Sequence, residues 1–396
     1  MPLPLDGLRI LAVSQFGAGP FGTLLLADLG AEVIKIEDPA AGGDVSRTVP
    51  PYQIGDDSLY FQSFNRNKKS LTLNLEDPAG KLVFHRLVRI SDGVFNNLRG
   101  EIPARLGLTY EALREHNPAI VCCSLSAFGS TGPAASHPGY DYLMQAAAGY
   151  MQLTGEPAGP PAKCGVSVID FAAGFAAALG MMVGIFASRR TGAGCQVEVS
   201  LMNTALSMLN YFAAWYLNRG MEPQRLPNSA HAVLVPCQNF RTQDGYLAIF
   251  CAKEKFWQRL CARMERPDLA SDPRFSSFDL RLQNRPMLIP ILERILAQRT
   301  NAEWLSRLQG EVPCAPVRSM GEALDEAASA HDGAIVEMPH PVFGSIREVG
   351  CPIQISGLAQ RHRRAPGLGE HTDEILREYL GYGPEEIAEL RNRGVL

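Results

Sequence analysis

"LRILAVSQFGAGPFGTLLLADLGAEVIKIED", residues 8–38, decides the fold. Residues 8–14 are an apolar run of strand length. A glycine turn over 17–22 opens a helically spaced run of leucines. Residues 32–38 then alternate apolar and polar in the manner of a second strand. Strand, helix and strand within about thirty residues make a βαβ unit, whose two strands lie parallel.

The same punctuation continues outward. "SLTLNL" (70–75), "GVFNNL" (93–98) and "AIVCCSLSAFG" (119–129) read as further strands, with a helix over 78–90 that carries Pro78 in its first turn. Together they predict an α/β domain with a largely parallel sheet. Residues 167–194 read as one long buried helix, stopped by Arg189, Arg190 and Gly192. "CQVEVSL" (195–201) is another strand, and residues 203–220 another helix. Residues 239–252 carry a hairpin signal around Asp244-Gly245, and three helical patterns follow before the tail returns to strands. The expected division is a large domain over 1–200, a linker over 201–227, a small α+β domain over 228–325, a linker over 326–345, and a return to the large domain over 346–396.

The chain has 396 residues, 46% of them hydrophobic and 20% charged, with a formal net charge of −4. At about 100–200 residues per domain this length suggests two domains. The acidic balance argues for neither nucleic acid nor a membrane surface as partner. Nine cysteines, without paired C-x-x-C motifs at zinc spacing, are read as reduced thiols of a cytoplasmic protein. The first twenty residues lack the basic and apolar regions of a signal peptide. The apolar run over 171–187 is short and interrupted by glycine, so a buried helix is preferred to a membrane span. No P-loop, G-x-S-x-G, H-E-x-x-H or calcium-loop pattern occurs, and no metal ligand set is expected.

The candidate for chemistry is Asp170, alone in the apolar, small-residue stretch "GVSVIDFAAGFAAALG" (165–180). An ionised carboxylate there is costly unless something supports it. As an N-cap it would start the helix; as a nucleophile or base it would draw on helix-terminal N–H groups. The two readings are compatible. "GAGPFG" (17–22) lacks the G-x-G-x-x-G spacing, and Pro20 removes a donor, so it is not read as a dinucleotide fingerprint. It is either a structural turn or a place where another ligand meets the backbone. Arg66, Lys68 and Lys69, just before a strand, are either a solvated turn or phosphate contacts.

Eight segments, in order, resemble the family III CoA-transferases, which include formyl-CoA transferase, carnitine CoA-transferase and succinyl-CoA–glutarate CoA-transferase. They are "PLDGLRIL…GAGPFGTLLLADLGAEVIKIEDP", "FNRNKKSLTLNL", "CSLSAFGSTGP", "GYDYLMQAAAGYMQLTGEP", "GVSVIDFAAG", "RRTGAGCQVEVSL", "VPCQNFRTQDGYLAI" and "APGLGEHTDEIL". The resemblance implies a large Rossmann-like parallel-sheet domain plus a small α+β domain, in an interlocked homodimer whose linkers do the wrapping. It implies no permanently bound cofactor: a CoA thioester and a small carboxylic acid are the substrates. Asp170 matches the family's nucleophile, which forms an acyl anhydride and then a CoA thioester. Phe16, Gly17, Ala18 and Leu73 match CoA contacts, Asn96 and Arg105 match the pantetheine and phosphate region, and Tyr140 matches a tyrosine beside the thioester.

Two positions depart from the family. Asp38 stands where an arginine often grips the nucleotide, and Pro138 replaces a lysine. The phosphate grip therefore falls to Arg47, Lys68, Lys69 or Arg105, unranked. "LPNSAHAVLVP" (226–236) stands in place of the glycine-run loop of formyl-CoA transferase, as in dicarboxylate-type members. That implies a short dicarboxylate acceptor with succinyl-CoA as donor, and His231 as a residue for the distal carboxylate. The alternatives are a 2-methylacyl-CoA racemase or a CoA-binding protein without turnover. A racemase needs two acid–base groups. Tyr140, with an ordinary phenol pKa of about 10, is a poor one, and Lys253 or Glu254 would have to be the other.

Overall fold

The computed structural model describes residues 2–331, 333–357 and 361–396. It separates into two compact units: Met1–Ala148, Gly165–Asn210 and Ala327–Leu396 form the first, Gly149–Cys164 and Tyr211–Glu326 the second.

Six parallel strands carry the first unit. They are β1 (Arg9–Val13), β2 (Glu32–Glu37), β3 (Lys69–Thr72), β4 (Gly93–Asn96), β5 (Val121–Ser126) and β6 (Cys195–Ser200). Their order across the sheet is β3-β2-β1-β4-β5-β6. Each overlaps an apolar run predicted as a strand. The runs are nearly continuous because a parallel sheet is covered on both faces: Ile10, Leu11, Ala12, Val33, Ile34, Val94, Phe95 and Val121 are all fully buried. From β1 the chain steps to β2 on one side, and from β3 it crosses back to β4 on the other. The carboxyl ends of β1 and β4 therefore form a topological switch point, where open α/β sheets bind ligands.

Four helices bear on that point: α1 (Ala18–Asp28), α2 (Leu59–Asn65), α3 (Asp141–Ala147) and α4 (Val168–Thr191). Only one face of α4 is buried, where a long buried helix was expected. Ile169, Ala173, Ala177, Met181 and Ile185 repeat every four residues against the sheet, while Phe175, Leu179, Val183 and Phe186 stay exposed. By length and composition α4 could cross a membrane; here its inner face packs on β5 and β6.

Helices α1 and α4 meet through glycine. A Cβ added at Gly22 would lie 2.7 Å from the Gly174 carbonyl oxygen, and one at Gly174 would lie 2.8 Å from that of Ala18. Backbone-to-backbone contact at this distance leaves no room for a side chain, and neither atom belongs to a side chain that could swing away.

In the second unit, β7 (Cys237–Arg241) and β8 (Tyr246–Phe250) form the hairpin read at Asp244-Gly245, and β9 (Cys314–Pro316) completes a three-stranded antiparallel sheet. Helices including α5 (Arg285–Leu296) pack on it around Trp257, Leu288, Leu292 and Trp304. Residues 149–164, expected in the large domain, belong to this unit. Arg225 Nη1 donates to the carbonyls of Gly159 (2.8 Å) and Pro160 (2.9 Å), and the Asn228 N–H donates to Glu156 (2.9 Å). The single helix expected over 203–220 is two, Leu201–Met208 and Asn210–Arg219, broken where Asn210 takes a φ of 45°.

The glycine crossing predicts that Gly22→Val destabilises the chain by about 1–3 kcal/mol through overpacking. Calorimetric unfolding checks this; a transition unchanged from the parent would mean that α1 and α4 do not touch through backbone.

Candidate active site

Residues Ser14 to Gly17 leave the end of β1 and turn into α1. The turn is fixed from below by charge. Lys35 Nζ, fully buried, donates to the Ser14 carbonyl (2.5 Å) and to Asp44 Oδ2 (2.6 Å). Asp44 Oδ1 in turn accepts from the Phe16 N–H (3.0 Å). Burial works against the charge on Asp44, and Lys35 outweighs it, holding the carboxyl down to about 2. From above, Asn97 exchanges two hydrogen bonds with the Gln15 backbone (2.9 and 2.8 Å). Held at both sides, Phe16 sits at φ 70°, a left-handed conformation that costs an ordinary residue of order 1–3 kcal/mol.

The turn brings Gly17 against Asp170. A Cβ at Gly17 would be 3.1 Å from Asp170 Oδ2, so glycine keeps this approach open. Asp170 itself lies in the first turn of α4. It is not the N-cap: that position is Ser167, which makes no side-chain cap bond. A carboxylate from another helix does the capping. Asp141, the first residue of α3 and almost wholly buried, accepts from the N–H groups of Ile169 (2.7 Å) and Asp170 (3.3 Å). Its second oxygen accepts from Gln145 Nε2 (2.6 Å).

The consequence is electrostatic. The N–H groups that could have served Asp170 are occupied, and a second negative charge faces it. Among the described residues, no donor is hydrogen-bonded to the Asp170 carboxylate. Burial first, and the Asp141 charge second, push its pKa up to about 7. A carboxylate that basic is a better nucleophile than an exposed one, yet is still ionised in good part at neutral pH.

Aromatic rings line the approach. Phe16 packs on Tyr60 (centroids 5.3 Å apart) and edge-on to Tyr140 (6.2 Å); Phe64 and Phe21 both pack on Phe171, the residue after Asp170. The Tyr60 hydroxyl titrates above its ordinary value because of burial, then the charges of Asp170 and Asp44, so it remains protonated. Outside the carboxyl ends of β1, β2 and β3 lies a cavity of about 230 Å³, lined among others by Ser14, Gln15, Asp38, Leu73 and Leu98. Ser14 Oγ is buried, with no hydrogen-bond partner among the described residues.

Thus Phe16, Gly17, Ala18, Tyr140 and Asp170 gather at the end of β1, and Leu73 lines the cavity beside them. The basic candidates divide. Arg47 is buried, bidentate on Glu37 (2.9 and 2.7 Å) and stacked on Phe61. Lys68 is buried, donating to the Pro20 carbonyl (2.9 Å) and Asn65 (3.0 Å), and burial holds its pKa well below the ordinary lysine value. Lys69 opens β3, at the opposite end of the strands, and pairs with Glu374 and Glu32. Arg105 is exposed, 3.1 Å from Glu76. Asn96 is buried on Ser124 (3.0 Å), and its neighbour Asn97 is the one that reaches the turn. His231 belongs to the second unit. Sequence reading missed Asp141, Asn97, Lys35, Asp44 and Tyr60. Tyr60 and Phe64 had a signal, aromatics four apart on a short helix; Asp141 stood in the quoted "GYDYL".

A model of CoA-transferase family III matches residues 5–372. Human succinyl-CoA:glutarate CoA-transferase is 36% identical over 396 residues, covering 99% of this chain and 90% of the relative. Acetyl-CoA:oxalate CoA-transferase of Acetobacter aceti is 36% identical over 95% of this chain and 96% of the relative. The crystal structure of a CAIB/BAIF family protein from Brucella suis superposes with a TM-score of 0.82 at 31% identity, covering 96% of this chain and all of that one.

The raised pKa of Asp170 has a definite sign for stability. The folded chain holds a proton that the unfolded chain releases near 4, so stability is full below about pH 4 and lost as pH rises through about 7. Asp170→Asn, neutral throughout, is expected to unfold at a higher temperature than the parent above pH 7, with the advantage gone by pH 4. Asp141→Asn, lacking the facing charge, should end the parent's decline at a lower pH. Scanning calorimetry across pH checks both; parallel curves for parent and Asp170→Asn would contradict the desolvated carboxylate.

Proposed function

Since the chain belongs to CoA-transferase family III, we propose that it moves CoA from succinyl-CoA to a short dicarboxylic acid through covalent intermediates on Asp170. The observation that carries the mechanism is the Asp170 carboxylate, desolvated and with no hydrogen-bond donor among the described residues, against the glycine turn at the switch point. Its oxygen attacks the thioester carbonyl; the carbon–sulfur bond breaks, giving an aspartyl–succinyl anhydride and CoA thiolate. The thiolate attacks the Asp170 carbonyl, forming an aspartyl-CoA thioester and releasing succinate. The acceptor carboxylate then attacks that thioester, giving a new anhydride and thiolate. Attack of the thiolate on the acceptor's carbonyl yields the product and restores Asp170.

Each addition puts charge on a carbonyl oxygen. The first N–H groups of α1, at Ala18 and Gly19, have no partner within the helix and are suited to receive it. An anhydride must be kept from water, and the rings of Phe16, Tyr60 and Tyr140 serve that end. The cavity beside Ser14 and Leu73 takes the nucleotide end of CoA. Arg105 is assigned the phosphates, because its ion pair with Glu76 is exposed, whereas Arg47 and Lys68 are buried on their partners and Lys69 lies at the opposite end of the strands. Dicarboxylates are favoured as acceptors by "LPNSAHAVLVP" and by relatives named for glutarate and for oxalate. The racemase reading loses support from Glu254, whose carboxylate is paired with the buried Arg281 (2.9 Å).

We read the active form as an interlocked homodimer, because Phe175, Leu179, Val183 and Phe186 leave one face of the longest helix apolar and exposed.

Asp170→Ala is expected to abolish CoA transfer from succinyl-CoA to glutarate while CoA binding, by calorimetric titration, changes less than about threefold. Retained transfer would remove Asp170 from the mechanism. Light scattering during gel filtration should give twice the chain mass; a monomer at micromolar concentration would refute the dimer.

A further inference from the structure

The cavity outside the carboxyl ends of β1, β2 and β3 is walled by carboxylates and apolar side chains. Glu37, Asp38, Asp44 and Glu76 line it, and among the described residues no lysine, arginine or histidine does. Two of these acids are neutralised within the protein. Glu37 is held by Arg47 (2.7 Å) and Asp44 by Lys35 (2.6 Å), and both pairs are buried. The other two face outward. Asp38 follows directly on β2 and is exposed. Its Oδ1 accepts from the Ala40 N–H (3.0 Å), and among the described residues no cation pairs with it. Glu76 pairs with Arg105 (3.1 Å), both exposed. Arg105 offsets one of these two charges, so the balance around the cavity stays negative.

That balance bears on the ribose of the nucleotide. A 3′-phosphate is close to a dianion at neutral pH, since its second pKa is about 6, and its oxygens are acceptors. Among carboxylates it meets like charge and no donor. A ribose with a free 3′-hydroxyl presents a donor instead. An ionised carboxylate can only accept, and an acid at the carboxyl end of the second strand of an open α/β sheet is placed to accept from ribose hydroxyls. Where such sheets take a ribose phosphate, an arginine accommodates it; here the residue is Asp38. The apolar wall, with Leu73, Leu98 and Leu106, suits the base whichever ribose carries it. It does not distinguish the two.

We propose that this site binds CoA thioesters that lack the 3′-phosphate no more weakly than those that carry it, with Asp38 accepting from the free 3′-hydroxyl and Arg105 left to the diphosphate. That the ligand is a CoA thioester rests on the function proposed above. The tolerance at the 3′ position rests on Asp38 and on a cavity wall without a cation. An Asp38 that merely closed the turn at Ala40 would change the affinity of both ligands alike when replaced, and leave their ratio where it was.

Calorimetric titration of the Asp170→Ala protein with CoA and with 3′-dephospho-CoA, at one ionic strength, separates these. The two dissociation constants are expected to agree within about threefold, exposed charges being partly screened, or to favour 3′-dephospho-CoA. Asp38→Arg in the same background puts a cation at the cavity and is expected to move the ratio at least about fivefold toward CoA. Asp38→Asn, which only removes the charge, should move it the same way by less. CoA bound more than about threefold more tightly than 3′-dephospho-CoA by the Asp170→Ala protein overturns the proposal. So does a smaller shift in a folded Asp38→Arg protein, or binding of neither ligand. If Asp38→Arg does not fold, the ratio in the Asp170→Ala protein and its direction of change in Asp38→Asn decide. Transfer from succinyl-CoA to glutarate with Asp170 intact judges the proposed function separately: transfer can fail while the ratio holds, and the ratio can fail while transfer proceeds.

Discussion

Two backbone N–H groups donating to the Asp141 carboxylate hold the site together. They belong to Ile169 and Asp170, and the acceptor lies on a different helix. This one contact starts α4, fixes the direction of its first turn, and places a buried negative charge beside the reactive carboxylate. Had Ser167 or Asp170 capped the helix, the Asp170 side chain would have been tied to its own backbone. Instead the capping is delegated, and Asp170 is left desolvated and basic. Burying a second charge without a salt bridge is costly, and the chain tolerates it because Asp141 is hydrogen-bonded on both oxygens.

Everything else serves to bring the glycine turn to that carboxylate. Parallel order in the sheet creates the switch point after β1. The Lys35–Asp44 pair and Asn97 clamp the turn in a strained shape. Glycine at positions 22 and 174 lets α1 and α4 approach at backbone distance, which carries Gly17 up to Asp170. Strain at Phe16 and close packing at the glycines are two ends of one arrangement, which holds the turn at Gly17 close to an Asp170 carboxylate oxygen.

Much of this was legible in the sequence. The six strands were readable because strands buried on both faces are written as apolar runs, and glycine with leucine spacing marked α1. Asp170 was conspicuous as the one charge in a stretch of alanine and glycine. Its capping role was misread because the true acceptor stands 29 residues earlier, and no local rule connects the two. The basic residues show the same limit. Arg47 and Lys68 look like free charges in one dimension, while Glu37, the Pro366 carbonyl and the Pro20 carbonyl occupy them in three. Residues 149–164 were assigned to the large domain because the contacts that tie them elsewhere, made by Arg225 and Asn228, lie more than sixty positions away. Elements follow from periodicity; partners of polar groups follow only from the fold.

The central claim is that Asp170 itself carries the acyl group and then CoA. The most direct measurement is to quench the protein with hydroxylamine during turnover of succinyl-CoA and to map the modified peptide by mass spectrometry. The expected result is a hydroxamate on Asp170, dependent on succinyl-CoA. An Asp170 peptide that stays unmodified while CoA is being transferred, or a hydroxamate on another carboxylate, would contradict it.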